Sequence, residues 1–118
     1  MVSNKVNKSN EKQSPFVGEA ATKYVGSDRY PMVITKVKSK HCVVAVEVSD
    51  KDYEKFVSNE NNIQYLPNEV LEKYLNDSEF NSEYTLRKNG RWMKKHSGLW
   101  ETGGIYLGSA ELYLDPSF

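Results

Sequence analysis

Glu83 to His96 reads EYTLRKNGRWMKKH, and the register of this stretch decides how the rest of the sheet is arranged. Asn89-Gly90 stands between two strand-like runs. That dipeptide is the strongest short hairpin signal, because a type I′ turn needs positive φ at both central residues. A two-residue turn there sets Lys88 opposite Arg91, Arg87 opposite Trp92, Leu86 opposite Met93 and Tyr84 opposite Lys95. Side chains alternate between faces along a strand. Tyr84, Leu86 and Met93 then share one face, and Thr85, Arg87, Trp92 and Lys94 share the other. The first face reads as core. The second reads as half exposed, with an indole beside a guanidinium, a geometry worth about 0.5–1 kcal/mol through cation–π contact at an exposed site.

Upstream, Tyr30 to Lys38 reads YPMVITKVK and Cys42 to Val48 reads CVVAVEV. Both are β-branched runs bounded by turn residues. Ser39-Lys40-His41 is short enough to make them an antiparallel hairpin. Pro31 is expected at the first position of its strand, where a missing N–H is tolerated. Val44, Val46 and Val48 share a face with Cys42, and that face is expected to be the main core. Ala20 to Val25 reads as an edge strand, with Gly26-Ser27-Asp28 as turn chemistry.

Beyond Val48 the pattern changes. Ser49 followed by Asp52 has the form of a capping box, and Tyr53, Phe56 and Val57 fall at helical spacing, so a short helix is expected over Ser49–Val57. Ile63 to Leu66 reads as a strand stopped by Pro67. Asn68 is expected to cap a second short helix that buries Val70, Leu71, Tyr74 and Leu75. Gly103 to Gly108 and Leu112 to Leu114 read as short final strands. Strands dominate, so the expected fold is mainly β (a small α+β domain): a partly open β-barrel or curled antiparallel sheet with one or two short inserted helices. Residues 1–14 read as a disordered tail and 15–118 as one domain.

The formal net charge is zero, yet the charges are segregated. Met1 to Val46 holds eight Lys/Arg and three Asp/Glu, Glu47 to Glu83 holds three and ten, and Tyr84 to Phe118 holds five and three. A solvated surface explains this, and so does an acidic face opposed to a basic, polyanion-attracting one. Zero net charge argues against non-specific coating of DNA. No eighteen-residue apolar run and no apolar leader exists, so a cytoplasmic protein with no membrane contact is expected. Cys42 is the single cysteine, which excludes an internal disulfide. It lies in a valine-rich strand and reads as a buried, inert thiol. No zinc spacing, P-loop, nucleophile elbow or G-x-G-x-x-G pattern is present, and no metal or cofactor is expected.

Two constellations are candidates for function. Arg87, Arg91, Trp92 and Lys94 on the hairpin, with Arg29 from the Asp28-Arg29-Tyr30-Pro31 turn, form a candidate ligand set. A base stacks on Trp92 while the cations meet phosphate. The same residues also suit a core plug lidded by Arg87, or a protein-binding hot spot. Arg29 reads either as a structural turn residue or as part of an anion pocket. Trp100 reads as a core plug or a pocket wall. The second constellation is acidic, with Glu69, Glu72, Asp77 and Glu79 presenting a surface to a basic partner.

Gly18-Glu19-Ala20-Ala21-Thr22, Ser27-Asp28-Arg29-Tyr30-Pro31, Thr85-Leu86-Arg87-Lys88-Asn89-Gly90-Arg91-Trp92 and Asp115-Pro116-Ser117-Phe118 together resemble a family of small phage- and prophage-encoded proteins, over residues 17–118. No activity or catalytic residue comes with that resemblance. The stretch from Ser49 to Glu83 departs from it, being longer and more helical. The resemblance implies a phage or prophage origin. The reading that follows is a non-enzymatic binding protein in the cytoplasm of a host cell. It takes a nucleotide or nucleic acid through the hairpin and acts against a host system. The alternative is a protein–protein module, a virion component or an inhibitor of a host protein, that uses the acidic segment.

Overall fold

The alternating runs close into a ring. In the computed structural model, which describes residues 14–76, 82–95 and 104–116, six antiparallel strands form a closed barrel in chain order. They are β1 (Ala20–Val25), β2 (Asp28–Ser39), β3 (Cys42–Glu47), β6 (Ser82–Leu86), β7 (Trp92–Lys94) and β8 (Ile105–Leu107). Between β3 and β6 lies an insertion of α1 (Asp50–Tyr53), a two-stranded ribbon of β4 (Val57–Ser58) and β5 (Gln64–Tyr65), and α2 (Asn68–Leu75). The expected mainly-β fold with one or two short inserted helices is therefore what the chain adopts, and the barrel, expected to be partly open, is closed.

The interior follows from the register. Ala21 pairs Met32, Ile34 pairs Ala45, Val43 pairs Tyr84, Leu86 pairs Trp92, and Trp92 pairs Ile105. These residues form the inner core, with Val37, Leu86 and Leu107 packed against its buried members. A register shift between Ile34 and Lys36 lets both Ile34 and Val37 point inward. One extra residue there, Thr35, reverses the alternation of β2.

A second core lies outside the barrel wall. Val33, Val46 and Val48 are covered by Leu66 and Leu71, with Phe56, Val70 and Tyr74 alongside. Strand β3 is thus buried by the barrel on one side and by the insertion on the other, which explains why it reads as a continuous apolar run. The Cys42/Val44/Val46/Val48 face is the outer one. Only Val46 and Val48 are buried on it, Cys42 and Val44 are half-buried, and the barrel core is built by Val43 and Ala45 on the opposite face.

The remaining local expectations hold in part. Ser49 caps α1 by accepting from the Asp52 N–H at 3.3 Å, but the helix ends at Tyr53. Phe56 still reaches the second core, whereas Val57 enters β4 and is exposed. Pro67, rather than Asn68, occupies the N-cap of α2 with no side-chain bond, and Leu75 is exposed. Pro31 is the fourth residue of β2, because a two-residue turn at Gly26-Ser27 begins that strand at Asp28. Gly26 has φ 59° while Ser27 has no positive φ, the pattern of a type II′ hairpin.

The decisive difference is at the second hairpin. Tyr84 pairs Lys94, Thr85 pairs Met93, and Leu86 pairs Trp92. The Arg87 N–H donates to the Arg91 carbonyl at 2.8 Å, and the Gly90 N–H donates to the Arg87 carbonyl at 2.9 Å. Only Gly90, at φ 86°, takes positive φ. This is a three-residue loop, a turn followed by a left-handed glycine bulge, instead of a type I′ turn. A one-residue slip flips every side chain of the partner strand. Trp92 therefore joins Tyr84 and Leu86 inside the barrel, at 9% exposure, and Met93 moves to the outer face with Thr85.

Candidate functional site

Among the described residues, strand β7 meets β8 at a seam of one residue pair, Trp92 with Ile105, whereas β1–β8 and β6–β7 each share three. Gly104 makes the approach possible, since a β-carbon there would overlap the Trp92 carbonyl oxygen. A cleft of about 560 Å³ lies along the seam. Trp92, Ile105 and Leu107 supply its apolar floor, and Arg29, Arg91, Tyr24 and Tyr106 line it as well. Its volume falls within the usual range for small-ligand sites, about 300–1,000 Å³.

Tyr24 and Tyr106 lie on the outer faces of neighbouring strands. Their rings meet edge to face at 4.7 Å, and the Arg29 guanidinium sits 4.6 Å from the Tyr24 ring centre. Tyr106 is 57% exposed. Here is an aromatic and cationic platform, built from two tyrosines in place of the tryptophan. Alternation carried the signal for both. Ala21 faces inward, so Tyr24 faces outward, and Tyr106 stands between Ile105 and Leu107.

Arg29 is held from several sides. Its Nε lies 3.3 Å from Glu111 Oε1, and an Nη donates to the Ser27 carbonyl at 3.0 Å. Its backbone exchanges two bonds with Tyr113, at 2.7 and 2.9 Å. Asp28 Oδ1 accepts from the Asp115 N–H at 2.7 Å, and Oδ2 accepts from the Tyr30 hydroxyl at 3.2 Å. Thr22 donates to the Ser109 carbonyl at 2.8 Å and accepts from the Glu111 N–H at 3.0 Å. Thus the Gly18–Thr22, Ser27–Pro31 and Asp115–Pro116 motifs are one construction that clamps residues 109–115 to the barrel. Arg29 serves that clamp and the cleft together.

The other expected ligand residues separate from this cluster. Arg87 is exposed on the hairpin, with Nε donating to Thr85 Oγ1 at 3.2 Å and an Nη donating to the Lys94 carbonyl at 3.1 Å. It does not stack on Trp92, whose indole points to the other side of the sheet. Lys94 is exposed on the opposite face of the sheet, in register with Tyr84. So Arg29, Arg91 and Trp92 share the cleft, and Arg87 and Lys94 are not among its lining residues. Glu69 and Glu72 are exposed on α2. Asp77, Glu79, Trp100, His96 and Phe118 lie outside the described residues.

On the outer barrel wall, Glu83 joins three strands. Lys38 and Lys95 each reach it at 2.8 Å, and the Cys42 thiol donates to it at 3.1 Å. Cys42 is half-buried, so its thiol has a partner instead of being sealed in the core. The two ammonium groups, Lys38 first, and then the thiol hold the Glu83 carboxyl down to about 2. Burial, and then the adjacent carboxylate, push the Cys42 thiol up. In the unfolded chain Glu83 returns to 4.5. Its contribution to stability is therefore complete above pH 4.5 and is lost as the pH falls through about 2. Glu83→Gln is expected to lower the urea midpoint at pH 7 and to match the parent protein near pH 2. A constant difference between the two proteins across that range refutes the assignment.

Two further carboxylates are buried. Glu19 has no exposed surface and accepts from the Ser14 hydroxyl at 2.8 and 3.0 Å and from the Phe16 N–H at 3.2 Å. Burial raises its pKa against those bonds. Asp52 is tied to Lys73 at 2.8 Å and to the Tyr74 hydroxyl at 2.5 Å, and these outweigh burial and lower its pKa. Asp52 anchors α1 to α2 and so holds the insertion on the second core. Among the described residues, no group of three His, Cys, Asp or Glu side chains is placed to hold a metal ion. No helix there is long and apolar enough to cross a membrane. No family model, no curated protein and no solved structure matches the chain.

Proposed function

We propose that this is a small binding protein of phage or prophage type, without catalytic activity of its own, whose ligand is a nucleotide held in the seam cleft. One observation carries the reading: Arg29 and Arg91 converge with Tyr24 and Tyr106 on a single cleft of about 560 Å³. A flat base needs an aromatic face, and its phosphate needs a cation within reach. Tyr106 supplies an exposed ring, Arg91 an exposed guanidinium, and Arg29 a guanidinium already oriented over Tyr24. The hairpin contributes Arg91 and Trp92 to this site, so the ligand set read from the sequence is reduced at Arg87 and Lys94 and extended by two tyrosines.

Thermal-shift titration with mono-, di- and cyclic nucleotides tests the proposal. A ligand at one hundred times its dissociation constant stabilises the folded state by about 2.7 kcal/mol. For a domain of this size that is a rise of about 10 °C, since each kcal/mol shifts the midpoint by roughly 4 °C. The shift is expected to disappear in an Arg91→Ala/Tyr106→Ala variant, which changes two exposed residues and leaves the core intact. Absence of any shift, or an equal shift in the variant, rejects the cleft as the site.

A further inference from the structure

The insertion covers one flank of the barrel, and among the described residues nothing covers the other. It packs on Val33 of β2 and on Val46 and Val48 at the end of β3. The Leu66 N–H donates to the Gly18 carbonyl at 3.0 Å and the Gln64 N–H to the Gly108 carbonyl at 2.8 Å, so the insertion reaches across β1. Among the described residues, no other element packs on the outer wall of the second half of β2, the start of β3, β6 and β7. The register displays Lys36, Val44 and Glu83 in one outward row, which Lys95 extends through its N–H to the Glu83 carbonyl at 2.7 Å. Cys42, Thr85 and Met93 form the next row.

This wall is basic. Lys36, Lys38, Arg87, Lys88 and Lys95 are exposed on it or at its hairpin tip, and Glu83 is the acid among them. Glu83 already bridges Lys38 and Lys95, so one acid faces two bases. The side chains of Lys36 and Lys88 have no hydrogen bond or ion pair among the described residues. Ten of the sixteen acidic residues belong to residues 47–83, most of them in the insertion that packs on the other flank. The zero net charge therefore conceals a strongly divided surface.

We infer that the outer wall of β2, β3, β6 and β7 is a docking surface for the phosphate backbone of a nucleic acid, separate from the seam cleft and independent of what that cleft binds. Two features favour this partner over an acidic protein. Among the described residues, the outward rows present no Phe, Tyr or Trp, the anchors on which protein interfaces depend. Phosphate contact needs only cations that can follow a charged chain. Neighbouring strands lie about 4.8 Å apart, so Lys36 and Lys95 stand at the two ends of one outward row, with Lys38 bonded to Glu83 within it and Lys88 at the hairpin tip. Contacts of this kind are sequence-independent and strongly dependent on salt.

Fluorescence anisotropy with labelled random-sequence duplex and single-stranded DNA, across a salt series, reads this surface. With about four phosphates engaged, log K is expected to fall with log salt at a slope near −3.6 for duplex and near −2.8 for single strands. The variant Lys36→Gln/Lys88→Gln spares the Glu83 ion pairs, and its slope is expected to be shallower by about 2. Its thermal midpoint should stay at the parent value, which separates lost binding from lost fold. Arg91→Ala/Tyr106→Ala should leave the slope unchanged. The inference is overturned if neither DNA binds at low salt, or if the lysine variant keeps the parent slope. It is equally overturned if the cleft variant alone abolishes binding, or if heparin binds while DNA does not. Failure of nucleotide binding in the thermal-shift titration leaves these expected slopes unchanged.

Discussion

Trp92→Ala is expected to destabilise the protein by about 3–5 kcal/mol, the cost of removing a large aromatic side chain from a packed core. Domains of this kind have about 5–15 kcal/mol in total, so the variant stands at the edge of folding. The size of the effect follows from where the register places this side chain. Trp92 pairs Leu86 on β6, pairs Ile105 on β8, and packs among Ala21, Ile34, Val43 and Tyr84 in the barrel interior. It is the residue through which β7 and β8 are paired. An indole displayed on the surface would behave differently, since surface substitutions away from special features usually lie within about 0.5 kcal/mol. Urea unfolding of the parent and variant decides between the two. A loss below about 1 kcal/mol places the indole outside the core and refutes the register described above.

Gly104→Ala is expected to cost about 1–3 kcal/mol, a large effect for one methyl group. The new β-carbon would overlap the Trp92 carbonyl oxygen and come within 2.9 Å of Met93 Sδ. A side chain can swing away, but a backbone oxygen in a strand cannot. Relief comes only by parting β7 from β8. That also pulls on the Tyr24 N–H, which donates to the Gly104 carbonyl at 3.1 Å. Hydrogen exchange at the Tyr24 amide should accelerate in the variant in step with the drop in unfolding midpoint. Parent-like exchange and an unchanged midpoint would show that the seam has room for the methyl group.

Both predictions depend on a register that the sequence pattern places one residue off. Asn89-Gly90 marks a hairpin under either reading, because both a type I′ turn and a glycine-bulge loop need positive φ at Gly90. The difference lies in Asn89, whose conformation the residue type does not dictate. Closing the ring decides it. Only the three-residue loop brings Trp92 onto the same face as Tyr84 and Leu86, where the interior needs volume.

Other parts were legible to different degrees. The β-branched runs over 30–38 and 42–48 announce their strands, and Ser49 announces its helix start. What they do not announce is which face of β3 meets which core, because both faces are apolar. Phe56 matched a helical spacing for a reason unrelated to a helix, since the second core draws it in from a turn. The candidate site was half legible. Arg29 and Arg91 were recognisable as unusual cations. Their companions Tyr24 and Tyr106 sit eighty-two positions apart and become neighbours only when β8 pairs with β1. Local pattern contains no record of that pairing.

The order of strands around the ring has a consequence for synthesis. Ala21, among the first residues of the sheet, finds one of its two neighbours in Leu107, and Thr22 waits for Ser109 and Glu111. A ribosome therefore releases nearly the whole domain before β1 can be paired on both sides. Until then the nascent sheet has two open edges, β1 and whichever strand was made last, and such edges invite pairing with other chains. The lysines of β2 and the charged hairpin at Arg87–Arg91 emerge before closure. Like charges at these positions disfavour edge-to-edge pairing between copies in which the barrel is still a ribbon.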